Sequence, residues 1–354
     1  MQKVSVTVPG RVNYLGEHTD YNNGWVLPAP AGKFLKVEIE RSEGDEITVY
    51  ASDYKDSFRF LPGDIPEVNG WKAYPVGYAA LLVRKGYSLK GGITIRISSD
   101  IPAGAGMSSS AALCCGLGLA LKEYFELPVS KEDIALLAQQ TEHEFAGVKC
   151  GIMDQYAVLF GKEKHLLKLD CRSLEYSYVP FDFPDYCTVL LNSGVHHSLA
   201  DSEYNTRRKQ CEEGMQIIKH SFPQTGSLRD VTMEMLDHCK NRMDPVVYKR
   251  CKYVTEENAR VEKGCELLNQ EDIKSFGRLM NLTHWGLSEQ YEVSCPELDF
   301  LAKEAQSYPG VIGSRMMGGG FGGCTINIVR KDNRDAFIRH MQEKYGKELP
   351  AYQV

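Results

Sequence analysis

Hydrophobic and polar positions alternate with a period of two in several segments of the first hundred residues. In "GGITIRISSDIP", Ile93, Ile95 and Ile97 would share one buried face of a strand. The segments "KVSVTVP", "LKVEIE" and "EITVYAS" predict three further strands. The spacing changes to that of a helix in "WKAYPVGYAALLVRKG", which would end near Gly86. This part of the chain therefore predicts strands mixed with helices.

Helical spacing dominates the remainder of the chain. "AALCCGLGLALKEYF" predicts an apolar helix that begins near Ala111, and "SKEDIALLAQQTEHEFAG" predicts another, with Ser130 and Asp133 close to a capping box. The further segments with helical spacing are "DSEYNTRRKQCEEGMQIIKH", "VVYKRCKYVTEENARVEKGCELL", "EDIKSFGRLMNLTHWGL", "CPELDFLAKEAQSY" and "NRDAFIRHMQEKYG". "CTVLLNS" and "CTINIVR" predict two more strands.

This order of elements predicts the fold class and the domain organisation. Strands in runs followed by helices in runs indicate an α+β protein with two lobes. A length of 354 residues also exceeds what one hydrophobic core usually organises. We expect an N-terminal domain over residues 1–180 and a C-terminal domain over 181–354, with the boundary at "YVPFDFPDY".

Composition argues against some classes of binding partner and indicates the cellular compartment. The chain is 43% hydrophobic and 25% charged with a net charge of -6, and no basic stripe favours nucleic acid or an anionic membrane. The first residues lack the apolar region of a secretory signal, and no apolar run approaches the roughly 20 residues of a membrane-spanning helix. Eleven cysteines without C-x-x-C pairs indicate reduced thiols. We expect a cytoplasmic monomer.

The stretch "PGRVNYLGEHTDYNNG" concentrates polar side chains near the N-terminus. Arg11, Glu17, His18 and Asp20 fall within ten positions. Three interpretations are open: a solvated loop, a metal site, or a pocket that binds a polar ligand. The metal site is the weakest of these, because no third ligand follows His18 and Asp20 at a zinc-like spacing.

The segment "IPAGAGMSSSAAL" has the features of an anion site. Gly104 and Gly106 let the backbone approach a ligand, while Ser108, Ser109 and Ser110 offer hydroxyl groups before a helix N-terminus. The segment is neither a Walker A loop nor a Rossmann fingerprint. The alternative is a turn of small residues in which a serine caps the helix.

A bound triphosphate also requires a cation, commonly Mg²⁺ held by protein oxygens and phosphates. Ser110 supplies a hydroxyl, and "TEHEFAG" supplies Glu142 and Glu144. Two residues apart on a helix, these glutamates project in different directions, so only one would face the loop. The alternative is that both belong to a solvated helical face.

Asp154 lies in the apolar stretch "CGIMDQYAV", where a carboxylate is costly to bury without a partner. It either caps the helix "QYAVLF" or orients and deprotonates a substrate hydroxyl. Arg11 is a natural partner, because a guanidinium would hold the carboxylate ionised and stabilise charge on a transferring phosphoryl group. Phosphoryl transfer needs mainly positioning and charge stabilisation, which Arg11, Ser110, Glu142 and Asp154 could supply.

Several of these segments together resemble a known family. "PGRVNYLGEHTDYNNGWVLP" resembles the galactokinase signature, "PAGAGMSSSAA" resembles the phosphate loop of the GHMP kinases, and "GSRMMGGGFGGCT" resembles their third motif. Three more segments are similar to parts of galactokinases: "EHEFAGVKCGIMDQ", "NSGVHHSLADSEYNTRRKQCEE" and "YEVSCPELD". The motifs occur in the family's order from residue 9 to about residue 325.

The resemblance implies a two-lobed GHMP kinase fold, with an N-terminal lobe like domain 2 of ribosomal protein S5 and a ferredoxin-like C-terminal lobe. It also implies an enzyme, a phosphotransferase with an alcohol group as acceptor. The reaction would be ATP-dependent phosphorylation of the anomeric hydroxyl of D-galactose, with Mg²⁺ as cofactor.

The resemblance further implies roles for particular residues. Arg11 and Asp154 match the catalytic arginine and aspartate. The residues that match sugar ligands are Glu17, His18, Asp20, Gly151 and Tyr204. The residues that match the nucleotide site are Trp71, beside the adenine, and Gly104, Gly106, Ser108, Ser109 and Ser110 at the phosphates. Ser110 and Glu142 match the magnesium ligands.

The sequence departs from the family pattern at two places. Only eight residues precede Pro9, where galactokinases usually have an additional helix, and "APAGKFL" follows "VLP" where the family usually has a small residue and then isoleucine. Both places bear on the sugar more than on the phosphoryl transfer. Two alternatives therefore stay open: a kinase of the same fold for another hexose or N-acetylgalactosamine, and a protein that senses sugar and ATP without turnover.

Overall fold

The computed structural model describes residues 3–102, 104–195 and 200–354. These residues form two compact units, each built from more than one segment of the chain. The described residues of the first unit fall within Met1–Arg11, Pro30–Ala103 and Met107–Phe160, and those of the second within Val12–Ala29, Gly104–Gly106 and Gly161–Val354. The predicted domain boundary near residue 180 stays a prediction.

The secondary structure consists of runs of strands and runs of helices along the described residues. In chain order, the strands are β1 (Lys3–Asn13), β2 (Trp25–Val26), β3 (Pro28–Arg41), β4 (Ile47–Ala51), β5 (Asp56–Phe60), β6 (Ile93–Ser99), β7 (His165–Asp170), β8 (Tyr176–Pro180), β9 (Tyr186–Asn192), β10 (Val311–Met316), β11 (Cys324–Arg330) and β12 (Ala351–Gln353). The α-helices are α1 (Ala73–Arg84), α2 (Ser109–Tyr124), α3 (Lys131–Thr141), α4 (Met153–Phe160), α5 (Ala200–Ser221), α6 (Met233–Cys239), α7 (Pro245–Asn269), α8 (Ile273–Trp285), α9 (Pro296–Ser307) and α10 (Arg334–Tyr345). Every strand and helix named from the sequence is found. The elements that the sequence did not predict are the strands β2, β5, β7, β8, β10 and β12 and the helix α6. The α+β prediction is confirmed.

The first unit is built on a sheet with the strand order β1-β3-β6-β4-β5. Strand β6 pairs antiparallel with β3 and parallel with β4, so that Ile95 lies opposite Ile39 on one side and Val49 on the other. Ile93, Ile95 and Ile97 are all buried, as their alternation predicts. The apolar side chains of the central strands therefore form one face of the core.

Helix α2 packs closely on this sheet and on α1. A Cβ atom at Gly116 would lie 3.1 Å from Val37 and 3.3 Å from Val8, and one at Gly118 would lie 2.2 Å from the hydroxyl of Tyr78. The glycines in the apolar run of α2 thus allow a close approach of helix to sheet and of helix to helix. This packing fixes the axis of α2, and with it the position of its N-terminus.

Helix α3 begins with the predicted capping box. The Ser130 hydroxyl accepts a hydrogen bond from the backbone N–H of Asp133 at 3.0 Å, and the Asp133 carboxylate accepts one from the Ser130 N–H at 3.0 Å. At its other end α3 continues into a π-helical turn, Glu142–Ala146, which closes at Gly147 with φ +77°. Such turns change the direction of side chains within a helix and are frequent at functional sites.

The second unit contains an antiparallel sheet with the order β10-β11-β9-β12 and a small sheet with the order β2-β7-β8. One core cluster joins helices α5, α6 and α7, and includes Cys211, Leu236 and Val254. A second cluster packs Leu301 of α9 and Phe337 of α10 against β9.

Two properties of the described chain bear on the expectations from composition. No helix within residues 3–102, 104–195 and 200–354 combines the length and the apolar character needed to cross a membrane. All eleven cysteines are described, and each is a free thiol. Burial raises the pKa of most of these thiols, Cys114 and Cys115 among them, which makes them poor nucleophiles.

Candidate active site

Arg11 and Asp154 form a two-point ion pair in the first unit. Arg11 lies near the end of β1, and Asp154 is the second residue of α4. The Arg11 Nε donates to Asp154 Oδ1 at 2.6 Å, and a terminal guanidinium nitrogen donates to Oδ2 at 2.9 Å. The arginine is buried and the carboxylate is partly exposed. Charge-assisted bonds of this geometry hold a carboxylate in one orientation.

Asp154 therefore does more than cap a helix. It lies within the first turn of α4 and not before it, and the negative charge there also suits the positive end of the helix dipole. Its Oδ2 accepts a second hydrogen bond, from the hydroxyl of Ser108. The pairing of Arg11 with Asp154, which sequence reasoning considered from charge alone, is present.

The glycine-serine loop leads into α2 with a strained residue. Gly104 and Gly106 have φ values of +69° and +70°, and Ser108, which precedes the helix, has φ +56°. This left-handed conformation costs a serine about 1–3 kcal/mol, and strain of this kind clusters at functional sites. Ser108 also makes no side-chain cap to the helix. Because its hydroxyl donates to Asp154 instead, the serine-cap interpretation is wrong for this residue.

Helix α2 begins two residues earlier than the sequence predicts, at Ser109 and not near Ala111. Its first turn carries no acidic residue, so the positive end of a 16-residue helix is not offset by a neighbouring carboxylate in that turn. Ser109 and Ser110 are thus the first residues of the helix itself. The loop and the helix start have the chemistry of an anion site.

Glu142 is the buried carboxylate beside this helix start. Its Oε2 accepts from Ser110 Oγ at 3.2 Å, and its Oε1 accepts from Gln155 Nε2 at 2.7 Å. Burial, reinforced by the charge of Asp154, raises the pKa of Glu142 to about 7. Glu144 is directed elsewhere and forms an ion pair with Arg84 at 2.7 Å. Only Glu142 therefore meets the serine loop.

The donor set formed by Ser110 and Glu142 fits a magnesium ion that also binds phosphate oxygens. Both ligands are oxygens, which Mg²⁺ prefers, and a divalent cation would offset the proximity of Glu142 to Asp154. The described residues contain no group of three or more histidine, cysteine, aspartate or glutamate side chains that could hold a metal alone. A cation at Ser110 and Glu142 would need further oxygen ligands, such as those of a bound phosphate group.

In the second unit, Glu17 is fixed by a buried arginine. Arg315, with no exposed surface, donates to Glu17 Oε2 at 2.7 Å and to the carbonyl of Asn13 at 2.5 Å. The backbone N–H of Gly318 donates to the same Glu17 oxygen at 3.1 Å. One oxygen of this carboxylate is thus committed to β10 and the glycine loop that follows it.

His18 lies in an aromatic environment next to Glu17. Its ring is 5.2 Å from Tyr204 and 4.9 Å from Tyr291, centroid to centroid, and its Nδ1 lies 2.8 Å from the hydroxyl of Tyr21. Burial lowers the pKa of His18 to about 4, so the ring is neutral at physiological pH. Asp20, also buried, accepts from the Tyr21 N–H at 2.9 Å.

The two remaining candidate residues are Gly151 and Trp71. Gly151 is buried in the connection between the π-helical turn and α4. Trp71 lines an open groove of about 540 Å³ together with Phe58 and Lys72, and its ring stacks on Tyr54 at 6.2 Å. The groove has an aromatic wall and a cation, which suits a planar ligand. The His196–His197 pair, for which the sequence indicates a polar loop, falls outside the described residues.

Sequence reasoning missed three residues of these clusters. Gln155 and Tyr291 stand within segments that resemble the family, yet neither was singled out. Arg315 is the single charge in the apolar run of β10, and a buried guanidinium needs a partner. That isolated charge was the available signal for Arg315.

Family models match three regions of the chain. The GHMP kinases N terminal domain matches residues 73–162, the GHMP kinases C terminal domain matches residues 266–347, and the galactokinase galactose-binding signature matches residues 2–34. The third region contains Arg11, Glu17, His18 and Asp20.

Named relatives match over nearly the whole chain. A galactokinase of Thermotoga maritima is 38% identical, with 98% of this chain and 95% of the relative covered. A galactokinase of Clostridium perfringens is 36% identical, with 95% and 88% covered. The crystal structure of Lactococcus lactis galactokinase complexed with galactose has a TM-score of 0.95 at 32% identity, covering 99% of this chain and 93% of that one. The Methanococcus jannaschii mevalonate kinase, at 18% identity and a TM-score of 0.72, covering 99% and 98%, shares the fold.

Proposed function

This chain belongs to the galactokinase family of the GHMP kinases, and from that premise we propose that it transfers the γ-phosphoryl group of ATP to the anomeric hydroxyl of D-galactose. The products are α-D-galactose 1-phosphate and ADP. The observation that carries the proposal is the two-point ion pair between Arg11 and Asp154, with the Ser108 hydroxyl on the same carboxylate.

Asp154 would accept the proton of the attacking hydroxyl, or orient that hydroxyl toward the phosphorus atom. Arg11 would hold the carboxylate in one orientation and stabilise negative charge as the phosphoryl group is transferred. A carboxylate held at two points has a fixed orientation, so it would position the attacking hydroxyl. Positioning provides most of the rate enhancement in phosphoryl transfer.

The nucleotide would be bound by the serine loop and the start of α2. Gly104 and Gly106 would allow the backbone to approach the phosphates, and Ser108, Ser109 and Ser110 would donate hydrogen bonds to them. Trp71 would border the adenine. Ser110 and Glu142 would hold Mg²⁺, which when bound neutralises charge on the triphosphate.

The sugar would be bound by Glu17, His18, Asp20, Gly151 and Tyr204. Neutral His18 and the buried carboxylates of Glu17 and Asp20 offer the donors and acceptors that distinguish one hydroxyl pattern from another. Tyr204 would supply an apolar face for the ring carbons beside its hydroxyl. The free thiols of all eleven cysteines support a cytoplasmic location.

The proposal is tested by supplying ATP and Mg²⁺ with a panel of sugars and measuring the release of ADP. The panel should include galactose, glucose, mannose, galactosamine and N-acetylgalactosamine. We expect the highest kcat/KM with galactose. A higher kcat/KM with another sugar would identify that sugar as the substrate. Binding of galactose and ATP without ADP release would identify a sensor.

A further inference from the structure

The 16–25 segment leads from β1 into β2 and carries three of the proposed sugar ligands, Glu17, His18 and Asp20. His18 has φ +60°, a left-handed conformation that is uncommon for residues other than glycine. Such conformations persist only where the surrounding structure imposes them. The arrangement of these three side chains therefore depends on contacts between the segment and the rest of the protein.

The two ends of the segment lie against each other. Gly16 has φ +87°, and a Cβ atom there would lie 2.5 Å from the carbonyl oxygen of Trp25, so only glycine fits. The Thr19 hydroxyl lies 2.8 Å from the Gly16 carbonyl and 2.7 Å from the Trp25 carbonyl, and it donates its single proton to this pair. These contacts occupy carbonyl groups, so the backbone N–H groups of Gly16 and Trp25 need acceptors from outside the segment.

Helix α7 provides both acceptors. The Gly16 N–H donates to Oε1 of Glu257 at 2.7 Å, and the Trp25 N–H donates to Oδ1 of Asn258 at 2.9 Å. A Cβ atom at Gly24 would lie 2.4 Å from the same Asn258 oxygen, so the close approach of segment and helix requires glycine there. A backbone N–H can only donate, so the direction of both hydrogen bonds is fixed.

A third contact from α7 reaches the backbone of a proposed sugar ligand. The Tyr253 hydroxyl donates to the carbonyl oxygen of Glu17 at 3.0 Å, and this direction is also fixed, because a carbonyl can only accept. Tyr253 and Glu257 are four positions apart, so they lie on one face of the helix, and Asn258 follows directly. Tyr253, Glu257 and Asn258 are called the anchor residues below. One helix thus holds the segment at both ends and at Glu17.

The two acceptors on α7 are themselves fixed by buried hydrogen bonds. Glu257 has no exposed surface, and its Oε2 accepts from Arg260 Nε at 2.6 Å and from the Thr283 hydroxyl at 2.8 Å. The Asn258 side-chain amide donates to the carbonyl of Val254 at 2.9 Å, which leaves its oxygen for the segment. A buried carboxylate is costly unless it is paired, and a hydrogen bond from a backbone N–H to a charged oxygen is strong. Helix and segment belong to the same unit.

We propose that the three anchor residues of α7 are positioning residues for sugar binding: they hold the backbone of the 16–25 segment in the conformation in which its polar side chains meet the sugar. The inference rests on the proposed function for the identity of the ligand, and on the contacts of α7 for the conformation. The anchor residues act through the segment. Their loss should therefore weaken sugar binding and leave the transfer step nearly unchanged.

Tyr253→Phe removes one anchor with little change of shape. We expect the galactose KM to rise about fivefold, the loss of roughly one hydrogen bond, while kcat and the ATP KM change less than about twofold. The matched control is Tyr14→Phe. The Tyr14 hydroxyl is also buried in the second unit, and its partner at 2.7 Å, Thr188 Oγ1, lies outside the segment. Both variants should melt at a lower temperature than the wild type, but only Tyr253→Phe should alter the galactose KM.

Glu257→Met separates a positioning role from a purely structural one. It removes the acceptor of the Gly16 N–H and takes from Arg260 its nearest partner, so it should raise the galactose KM and lower the melting temperature together. Adding Arg260→Met replaces the ion pair with apolar side chains and should recover much of the stability. The galactose KM should stay raised about tenfold, because the acceptor for Gly16 is still missing. If Glu257→Met alone does not fold, Tyr253→Phe, Asn258→Ala and the double variant decide the question.

Hydrogen–deuterium exchange of peptides that contain residues 16–25, measured without ligand, tests the conformation independently of the sugar. We expect faster exchange in the anchor variants and wild-type exchange in Tyr14→Phe. A galactose KM unchanged in both Tyr253→Phe and Asn258→Ala would overturn the proposal, as would unchanged exchange in the anchor variants or a KM that recovers with stability in the double variant. If the wild-type protein phosphorylates none of the sugars in the panel, the proposed function fails, and the exchange measurement still decides whether α7 fixes the segment.

Discussion

Arg11 and Asp154 are joined by two hydrogen bonds of 2.6 and 2.9 Å, although 143 positions separate them in the sequence. The guanidinium is buried, and a buried charge is strongly destabilising unless a well-oriented opposite charge pairs with it. Asp154→Asn removes the charge of that partner and its ability to accept a proton. We expect kcat to fall by about 10²–10⁴-fold, while ATP still binds.

The outcome for Asp154→Asn is measured by steady-state turnover together with calorimetric titration of the nucleotide. Ser108→Ala, which removes the other hydrogen bond to the same carboxylate, is the matched comparison and should lower kcat much less. A near-normal kcat for Asp154→Asn would refute the role assigned to this residue.

Arg11→Lys tests whether the fork geometry of the arginine matters. Lysine keeps the positive charge but cannot donate from two positions to one carboxylate. We expect kcat to fall by about 10²–10³-fold with little change in the galactose KM, because the lost interaction stabilises charge in the transition state. A variant that changes only the galactose KM would instead assign Arg11 to sugar binding.

Glu142 provides a prediction about pH. Its pKa is raised from 4.5 to about 7, so the folded protein binds this proton more tightly than the unfolded chain does. The stabilising effect is complete below pH 4.5 and is lost as the pH rises through about 7, a difference of about 3 kcal/mol. Glu142→Gln cannot ionise, so it should unfold at a higher temperature than the wild type at about pH 8 and not at about pH 4.

The control for this prediction is Glu144→Gln. Glu144 is partly exposed and pairs with Arg84, so its removal should not stabilise the protein at either pH. Saturating Mg²⁺ and nucleotide should also narrow the difference between Glu142→Gln and the wild type, since they would bind the ionised carboxylate. Equal melting temperatures for Glu142→Gln and the wild type at high pH would contradict the burial assigned to Glu142.

The buried ion pair of Glu17 and Arg315 is expected to be sensitive to the loss of one partner. Arg315→Met leaves the Glu17 carboxylate buried and unpaired, which should cost about 3–5 kcal/mol in the free energy of unfolding measured with urea. Combining it with Glu17→Gln should recover part of that loss. Lys263→Met, which breaks an exposed pair with Glu266, should cost less than about 1 kcal/mol. Additive effects of the two buried substitutions would show that the pair is not coupled.

His18 gives a prediction about sugar binding across pH. Burial lowers its pKa to about 4, so its protonation state does not change between about pH 5.5 and 8. The galactose KM should therefore show no titration near the ordinary histidine value of 6.5. Stability should behave differently: it is complete above pH 6.5 and falls toward pH 4, because the unfolded chain takes up this proton first. A KM titration near 6.5 that disappears in His18→Gln would contradict the buried, neutral ring.

Much of the fold follows from local pattern. The alternation of Ile93, Ile95 and Ile97 is a local pattern, and the capping box joins Ser130 to Asp133 three positions on, so the sequence predicts both correctly. The sequence analysis placed the start of α2 two residues too late. Serines favour both helix caps and turns, and the sequence alone does not show which of the two they form. Here the choice depends on Asp154, 46 positions further along the chain.

The site was predicted where two charged residues in the motifs suggested each other, and missed where no local pattern pointed to the partner. Arg11 and Asp154 suggest each other because a buried charge needs its opposite. Arg315, 298 positions from Glu17, was missed, since nothing local indicates that β10 approaches the N-terminal segment. The left-handed conformation of Ser108 could not be read from the sequence either, because non-glycine residues adopt it only when the surrounding packing imposes it.

The central proposal, phosphorylation of the anomeric hydroxyl of galactose, is tested most directly by ³¹P NMR of a reaction with galactose, ATP and Mg²⁺. We expect the ATP signals to be replaced by those of ADP and by a phosphate monoester resonance coupled to an α-anomeric proton, with loss of this product in Asp154→Asn. A monoester on another hydroxyl, or ADP formed only together with inorganic phosphate, would contradict the proposed reaction.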